Sequence, residues 1–307
     1  TNDLPGGLVR HPGFLFGCGT RNEGIETRFN ASGMLGLNRG PLSIVSQLGV
    51  GAFAYCLPSR FRSVDVSGYL TFSRTNGTTT TTSSSTPPVL KYTPMIRNTI
   101  STFTSQFYYL DVKGMSVRGK RLGIPSSAWA IDPTTGHGGT VIDTGTTITT
   151  LVEEAYSVFV EAFHAEMDPG LALVDHGVNG ARVCYQATST PAVPNVTLHL
   201  GGGVDLDLRA DHLFRIVTAP SSSSGGNRQY CLAFGNAGKL GDGAKNFIGN
   251  IQQQDFLVHY DLAGSRIGFA PTLCNSLPSE GSPVISTYTI LLYYSYHVMF
   301  MVCILVL

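Results

Sequence analysis

The chain has 307 residues, enough for about two domains of ordinary size, and its 20 basic side chains balance its 20 acidic ones. A formal net charge of zero, with only 13% charged residues, leaves no electrostatic footprint for nucleic acid or any other polyanion. With 36 glycines, 16 prolines and many Thr and Ser residues, the composition favours short strands joined by turns, so the expected class is mostly β.

Taken in order, residues 1–10 are polar and glycine-rich, open on Thr1 and carry no signal-peptide pattern. Phe14, Leu15 and Phe16 read as a short strand, and Met34-Leu35-Gly36 as another. Apolar residues at 42, 45 and 48 predict a short amphipathic helix started by Pro41. Tyr69-Leu70-Thr71-Phe72 reads as a strand. Residues 75–88, a Thr/Ser/Gly run ending in two prolines, read as a surface loop or linker, with a lobe boundary near Pro94. Residues 107–112 predict a strand and 114–119 a strand and turn. Over 149–167, Leu151, Ala155, Tyr156, Phe159 and Phe163 recur at helical spacing, and Asp168-Pro169-Gly170 closes the helix. Its acids Glu153, Glu154, Glu161 and Glu166 form a solvated face. Residues 196–200 and 204–208 predict a hairpin around Gly201 to Gly203, and 221–226 a surface loop. Residues 256–260 and 266–270 read as closing strands joined by a turn at 261–265.

Six cysteines, at 18, 56, 184, 231, 274 and 303, include no Cys-x-x-Cys pair, and the eight histidines show no metal-ligand spacing, so no metal site is expected. Sequons at Asn30, Asn76 and Asn195 fit a secretory route. His137 stands in a Gly-rich turn and is expected to be exposed, and no nucleophile elbow supports Ser-His-Asp chemistry. The 24 residues 284–307 contain no Asp, Glu, Lys or Arg, which is long enough to span a bilayer, with Tyr288, Tyr293, Tyr294 and Tyr296 suited to an interface. Three readings of this tail stand: a transmembrane anchor, a lipid-anchor signal preceded by small residues at 275–282, or an aberrant terminus.

The chemistry concentrates in Gly138-Gly139-Thr140-Val141-Ile142-Asp143-Thr144-Gly145-Thr146-Thr147-Ile148. An apolar, β-branched strand delivers a carboxylate into a turn that Gly145 permits and that hydroxyls surround. A carboxylate placed between apolar residues must find donors or a partner, and Thr144 and Thr146 carry hydroxyls able to donate.

This stretch resembles the second active-site loop of pepsin-like aspartic peptidases, and its surroundings resemble the plant nepenthesin-type branch. The resemblance spans about residues 11 to 274 and includes Phe16-Gly17-Cys18-Gly19, the run from Gly33 to Ser43, the run from Phe53 to Pro58, the run from Phe247 to Gln254, Tyr260-Asp261-Leu262 and the run from Arg266 to Pro271. It implies a bilobal pepsin-like fold, an endopeptidase acting on peptide or protein substrates, no cofactor and a monomer. It gives Asp143 a catalytic role beside a second aspartate, lets Thr144 brace the two active-site loops, and has Thr146 hydrogen-bond the carboxylate. Gly36 and Gly249 become the glycines that complete each lobe's central motif.

Such a dyad shares one proton because two close carboxylates cannot both ionise cheaply. Asp3, Asp65, Asp111 and Asp132 lack the Thr-Gly or Ser-Gly that the first loop requires. The expectation is therefore an N-terminal lobe remnant at 1–94 without its first catalytic aspartate and flap, a C-terminal lobe at 95–274, and a spacer with hydrophobic tail at 275–307. The chain alone is expected to be inactive. The resemblance also implies a Cys184 to Cys231 disulfide and one joining Cys56 to Cys274, leaving Cys18 without a partner; six reduced thiols are the alternative. Localisation in the secretory pathway follows, extracellular or anchored through the tail. Two further functions stand beside the peptidase: an inactive pepsin-fold binding protein resembling plant xylanase inhibitors, and a homodimer with one aspartate from each copy, which the first-lobe residues would obstruct.

Overall fold

A computed structural model describes residues 3–4, 8–9, 11–17, 34–59, 67–73, 88–174, 183–217, 228–274 and 288–293. The strand Ala52–Cys56 is buried at every position, which is what a strand covered on both faces demands and why its sequence is apolar throughout. It pairs antiparallel with Ser67–Ser73 on one side and with Phe256–Asp261, near the other end of the sequence, on the other. Phe256–Asp261 continues into Arg266–Pro271 through a turn where Gly264 donates its amide to Asp261 Oδ1 at 2.8 Å.

These strands belong to one sheet of eleven, in the order Phe234–Asn236, Thr149–Leu151, Asn246–Ile248, Thr140–Ile142, Tyr109–Leu110, Lys91–Ile96, Arg266–Pro271, Phe256–Asp261, Ala52–Cys56, Ser67–Ser73, Tyr288–Tyr293. Pro94 lies inside Lys91–Ile96, opposite Arg266, in a strand that also pairs with Tyr109–Leu110. Besides a two-stranded pair of Asp3–Leu4 with Leu8–Val9, the described residues form two four-stranded sheets. One orders Val204–Leu208, Val196–Leu200, Val112–Val117 and Lys120–Arg121; the other orders Ala172–Val174, Cys184–Ala187, Arg228–Leu232 and Phe214–Val217. The fold is mostly β, as the composition implies, and the expected 196–208 hairpin forms in register from Val196 opposite Leu208 to Leu200 opposite Val204.

Several expectations are corrected. The helix spans Glu153–Ala165, not 149–167: Thr149–Leu151 is instead a strand parallel to Phe234–Asn236, as suits the β-branched run of Thr146, Thr147, Ile148, Thr149 and Thr150. The short helix is Ile44–Gln47, and Ser43 rather than Pro41 starts it, its hydroxyl accepting from the Ser46 amide at 3.1 Å. Leu42 falls outside that helix and is exposed. Phe14, Leu15 and Phe16 form no strand; Leu15 and Phe16 are exposed, and Gln47 holds the Leu15 backbone by donating to its carbonyl at 2.9 Å and accepting from its amide at 2.7 Å. Met34, Leu35 and Gly36 are likewise outside any strand. The strands expected at 107–112 and 114–119 are Tyr109–Leu110 and Val112–Val117.

In the tail, Tyr288–Tyr293 is a strand antiparallel to Ser67–Ser73, not part of a spanning helix. Tyr-Thr-Ile-Leu-Leu-Tyr has strand propensity, and the edge of Ser67–Ser73 supplies the pairing. Among the described residues no helix is long and apolar enough to cross a membrane. The remainder of 284–307, Cys18, Cys303, Asn30, Asn76 and the loops at 75–87 and 221–226 lie outside the described residues.

Candidate active site

Asp143 stands at the end of Thr140–Ile142, a strand buried at all three positions between Tyr109–Leu110 and the parallel strand Asn246–Ile248. Before it, Gly138 and Gly139 take φ values of 76° and 79°, and a Cβ at Gly139 would stand 2.6 Å from Ile131. The Asp143 amide donates to the Ile248 carbonyl at 3.1 Å, so the residue is fixed by the neighbouring strand before its side chain makes any bond.

The carboxylate is half-buried and each oxygen has its own donor. Gly145 donates its amide to Oδ1 at 2.8 Å, and Thr146 donates its hydroxyl to Oδ2 at 2.6 Å. Burial pushes the Asp143 carboxyl above its ordinary value; the Thr146 hydroxyl and the Gly145 and Thr146 amides pull the other way by favouring the ion. Among the described residues no second carboxylate acts on it. The result is a carboxyl held in one orientation that can carry a proton at acid pH.

Thr144 is buried, and its carbonyl accepts from Asn250 Nδ2 at 3.1 Å. Asn250 and Ile251 donate their amides to the carbonyls of Thr146 and Thr147, at 2.7 Å and 3.2 Å. Gly249 makes this packing possible, since its backbone runs directly against Thr147 and Ile148. Gly36 is half-buried, and its carbonyl accepts from the Ile44 amide at 3.0 Å, at the head of the Ile44–Gln47 helix. Thus Asp143, Thr144, Gly145, Thr146 and Gly249 come together.

The other predicted residues lie elsewhere. Cys184 is bonded to Cys231 within one four-stranded sheet, and Cys56 is bonded to Cys274, fastening Ala52–Cys56 to the segment after Arg266–Pro271. Asn195 is exposed, as a glycan acceptor must be, and His137 is exposed too. Asp132 serves a turn, accepting from the Thr134 and Thr135 amides at 2.7 Å and 3.0 Å, and Asp111 pairs with Lys113 at 2.8 Å. Among the described residues no cluster of three His, Cys, Asp or Glu side chains could hold a metal.

Behind the loop lies a set of buried amides to which sequence reasoning assigned no role. Asn246 accepts from the Val152 amide at 2.8 Å and donates to the Ala128 carbonyl at 2.7 Å. Gln252 accepts from both the amide and hydroxyl of Thr149, at 3.1 Å and 2.7 Å, and donates to the His212 carbonyl at 2.6 Å. Gln253 donates to the Ile248 carbonyl at 2.8 Å. Nothing local in Ile251-Gln252-Gln253-Gln254-Asp255 marks these side chains as buried; once buried, their amides must be satisfied.

Two family profiles cover most of the chain: "Xylanase inhibitor N-terminal" matches residues 1–73, and "Xylanase inhibitor C-terminal" matches residues 107–271. The chain belongs to the pepsin-like xylanase-inhibitor family that these profiles describe. Aspartyl protease 25 from Oryza sativa subsp. japonica is 34% identical over 267 residues, covering 86% of this chain and 56% of its own length. Aspartic proteinase nepenthesin-2 from Nepenthes gracilis is 34% identical over 268 residues, covering 86% and 55%. Hence the chain spans about half the length of the curated relatives it matches. Among solved structures, edgp matches with a TM-score of 0.58 at 24% identity over 86% of this chain and 64% of its own, and soybean Basic 7S globulin with 0.57 at 24% identity over 80% and 59%. These last two show the pepsin-like fold alone.

Proposed function

We propose that this chain carries one half of an aspartic endopeptidase centre, in which Asp143 is one of two carboxylates that share a proton and activate a water against a peptide carbonyl. The observation that carries the reading is the bracing of Asp143, with Gly145 on one oxygen and Thr146 on the other at the end of a buried strand. Thr144 supports the loop from behind, and Gly36 and Gly249 are assigned to the two central motifs. A lone carboxylate cannot act as acid and base in one step, so the 307 residues alone are inert. Substrates are peptides or proteins, no cofactor takes part, and the molecule works as a monomer. Two disulfides support a secretory, extracellular setting, and membrane association through 284–307 is compatible with it.

The division into 1–94, 95–274 and 275–307 belongs to the same reading. A native chain taken from its source, with its mass and N-terminal sequence determined, should show a second Asp-Thr-Gly or Asp-Ser-Gly. Its recombinant form should cleave a denatured protein at acid pH and lose that activity in Asp143→Asn. Cleavage by residues 1–307 alone that vanishes in Asp143→Asn would overturn the claim that a second aspartate is required.

A second reading, an inactive pepsin-fold binding protein, is favoured by the descriptions of the two matching profiles. It predicts tight binding to a microbial xylanase with no acid peptidase activity in the native chain. Peptidase activity without xylanase binding would exclude it.

A further inference from the structure

Tyr55 and Tyr260 stand on the paired strands Ala52–Cys56 and Phe256–Asp261, fully buried, with their hydroxyls 3.3 Å apart. The Tyr55 hydroxyl also bonds Gln253 Oε1. The other end of that amide, Nε2, donates to the Ile248 carbonyl at 2.8 Å, and the same carbonyl accepts the Asp143 amide at 3.1 Å.

Proton direction along this chain is fixed by chemistry. A carbonyl can only accept, so Gln253 must turn its NH2 to Ile248 and its oxygen to Tyr55. Tyr55 must then donate to Gln253, which leaves its oxygen free to accept from Tyr260. The run therefore reads Tyr260 O–H to Tyr55, Tyr55 O–H to Gln253 and Gln253 N–H to the Ile248 oxygen, which also accepts the Asp143 N–H. Tyr260, Tyr55, Gln253 and Ile248 are each buried, so water cannot replace a lost partner among them. Burial pushes both tyrosine hydroxyls up, and the charge of Asp143 adds to the effect on each.

We infer that Tyr55 and Gln253 are positioning residues for Asp143: through the Ile248 carbonyl they lock the backbone of the catalytic loop to the strand Ala52–Cys56, so that the aspartate is fully ordered only when that strand is docked. The functional meaning rests on the peptidase reading of Asp143; the coupling itself does not.

Gln253→Glu gives the sharpest test because it is isosteric and titrates. Protonated, the glutamic acid offers an O–H to Ile248 and a carbonyl to Tyr55; ionised, it turns an oxygen toward an oxygen. The full 307-residue chain, isotope-labelled, is followed by hydrogen exchange at the Asp143 amide and by the carbon shift of its carboxyl against pH, in wild type, Tyr55→Phe, Gln253→Glu and, as control, Tyr69→Phe. Tyr69 is buried in a separate cluster with Cys56 and Cys274. The expected result for Tyr55→Phe is at least about tenfold faster exchange at Asp143 and a displaced carboxyl midpoint. Gln253→Glu should match wild type at acid pH and match Tyr55→Phe near neutrality, and Tyr69→Phe should leave both readouts in place. Should Tyr55→Phe fail to fold, the pH dependence of Gln253→Glu decides alone. Exchange within about twofold of wild type at every pH in Gln253→Glu overturns the inference. Because no readout needs turnover, an inactive native chain would sink the peptidase reading and not this coupling, while an undisturbed Asp143 in these variants would sink the coupling and not the peptidase reading.

Discussion

Gly249 runs so close to Ile148 that a methyl group on its Cα would stand 2.5 Å from the Ile148 carbonyl carbon and 2.7 Å from its oxygen. Both atoms are backbone, and so is the Thr147 oxygen at 2.8 Å, so nothing there can rotate aside. The segment after Asp143 and the segment after Ile248 touch main chain to main chain.

Gly249→Ala should therefore destabilise the protein by about 1 to 3 kcal/mol, the usual cost of overpacking a filled site. Thermal unfolding followed by circular dichroism should show a lower Tm, and Asp143 amide exchange should quicken. An unchanged Tm would mean that the two segments separate more readily than their spacing implies.

Asp143 sets one pH dependence. Its folded value is raised above the ordinary 3.8, so the unfolded chain ionises first as pH rises, and stability falls between 3.8 and the folded value. The deficit is full above that window and absent below it. Asp143→Asn should thus be more stable than wild type at pH 7, with the advantage fading as pH drops from the folded value to 3.8. Thr146→Val, which removes a donor to the ion, should raise the Asp143 midpoint further in a carboxyl titration.

His212 sets an opposite one. Burial lowers its value below the ordinary 6.5, partly offset by Asp211, the Gln254 carbonyl and Asp255, with Arg209 acting in the same sense as burial. Its Nδ1 accepts from the Arg209 amide at 3.1 Å and its Nε2 faces the Gln254 carbonyl at 2.7 Å, which suits only the neutral ring. The stability it contributes is complete above 6.5 and is lost as pH falls toward the folded value. In His212→Gln, denaturant midpoints measured from pH 7 to 5 should slope less steeply than in wild type; parallel slopes would remove His212 from the account.

The two disulfides should differ in worth. Cys56 and Cys274 are 218 residues apart and Cys184 and Cys231 are 47 apart. Loop-closure entropy alone assigns about 5 and about 4 kcal/mol to loops of those lengths. Cys56→Ser with Cys274→Ser should accordingly lower the denaturant midpoint more than Cys184→Ser with Cys231→Ser.

Local signals in the sequence carried well where one segment decides its own structure. Val196 to Leu208 alternates around three glycines and forms the hairpin it announces, and Asp143 sits between an apolar strand and a Thr/Gly turn that supplies its donors. They failed where a distant partner decides. Leu151 continues the helical spacing of Ala155, Tyr156 and Phe159, yet pairing with Phe234–Asn236 and the Gln252 bonds to Thr149 make Thr149–Leu151 a strand. Phe14 to Phe16 has the composition of a buried strand, but Leu15 and Phe16 face solvent. Tyr55 and Gln253 lie far apart in the sequence, in the runs at 53–58 and 247–254, and only the sheet that aligns Tyr55 with Val258 shows that they meet.

Ala52–Cys56 has its neighbour on one side soon after it in the sequence, but Phe256–Asp261, its neighbour on the other, comes near the end. A ribosome delivers the chain N-terminus first, so this apolar strand leaves the exit tunnel long before its second partner exists. Its open edge must wait through the synthesis of nearly everything between. Such an edge invites wrong pairing, so folding depends on holding that strand out of trouble until Phe256–Asp261 has been made.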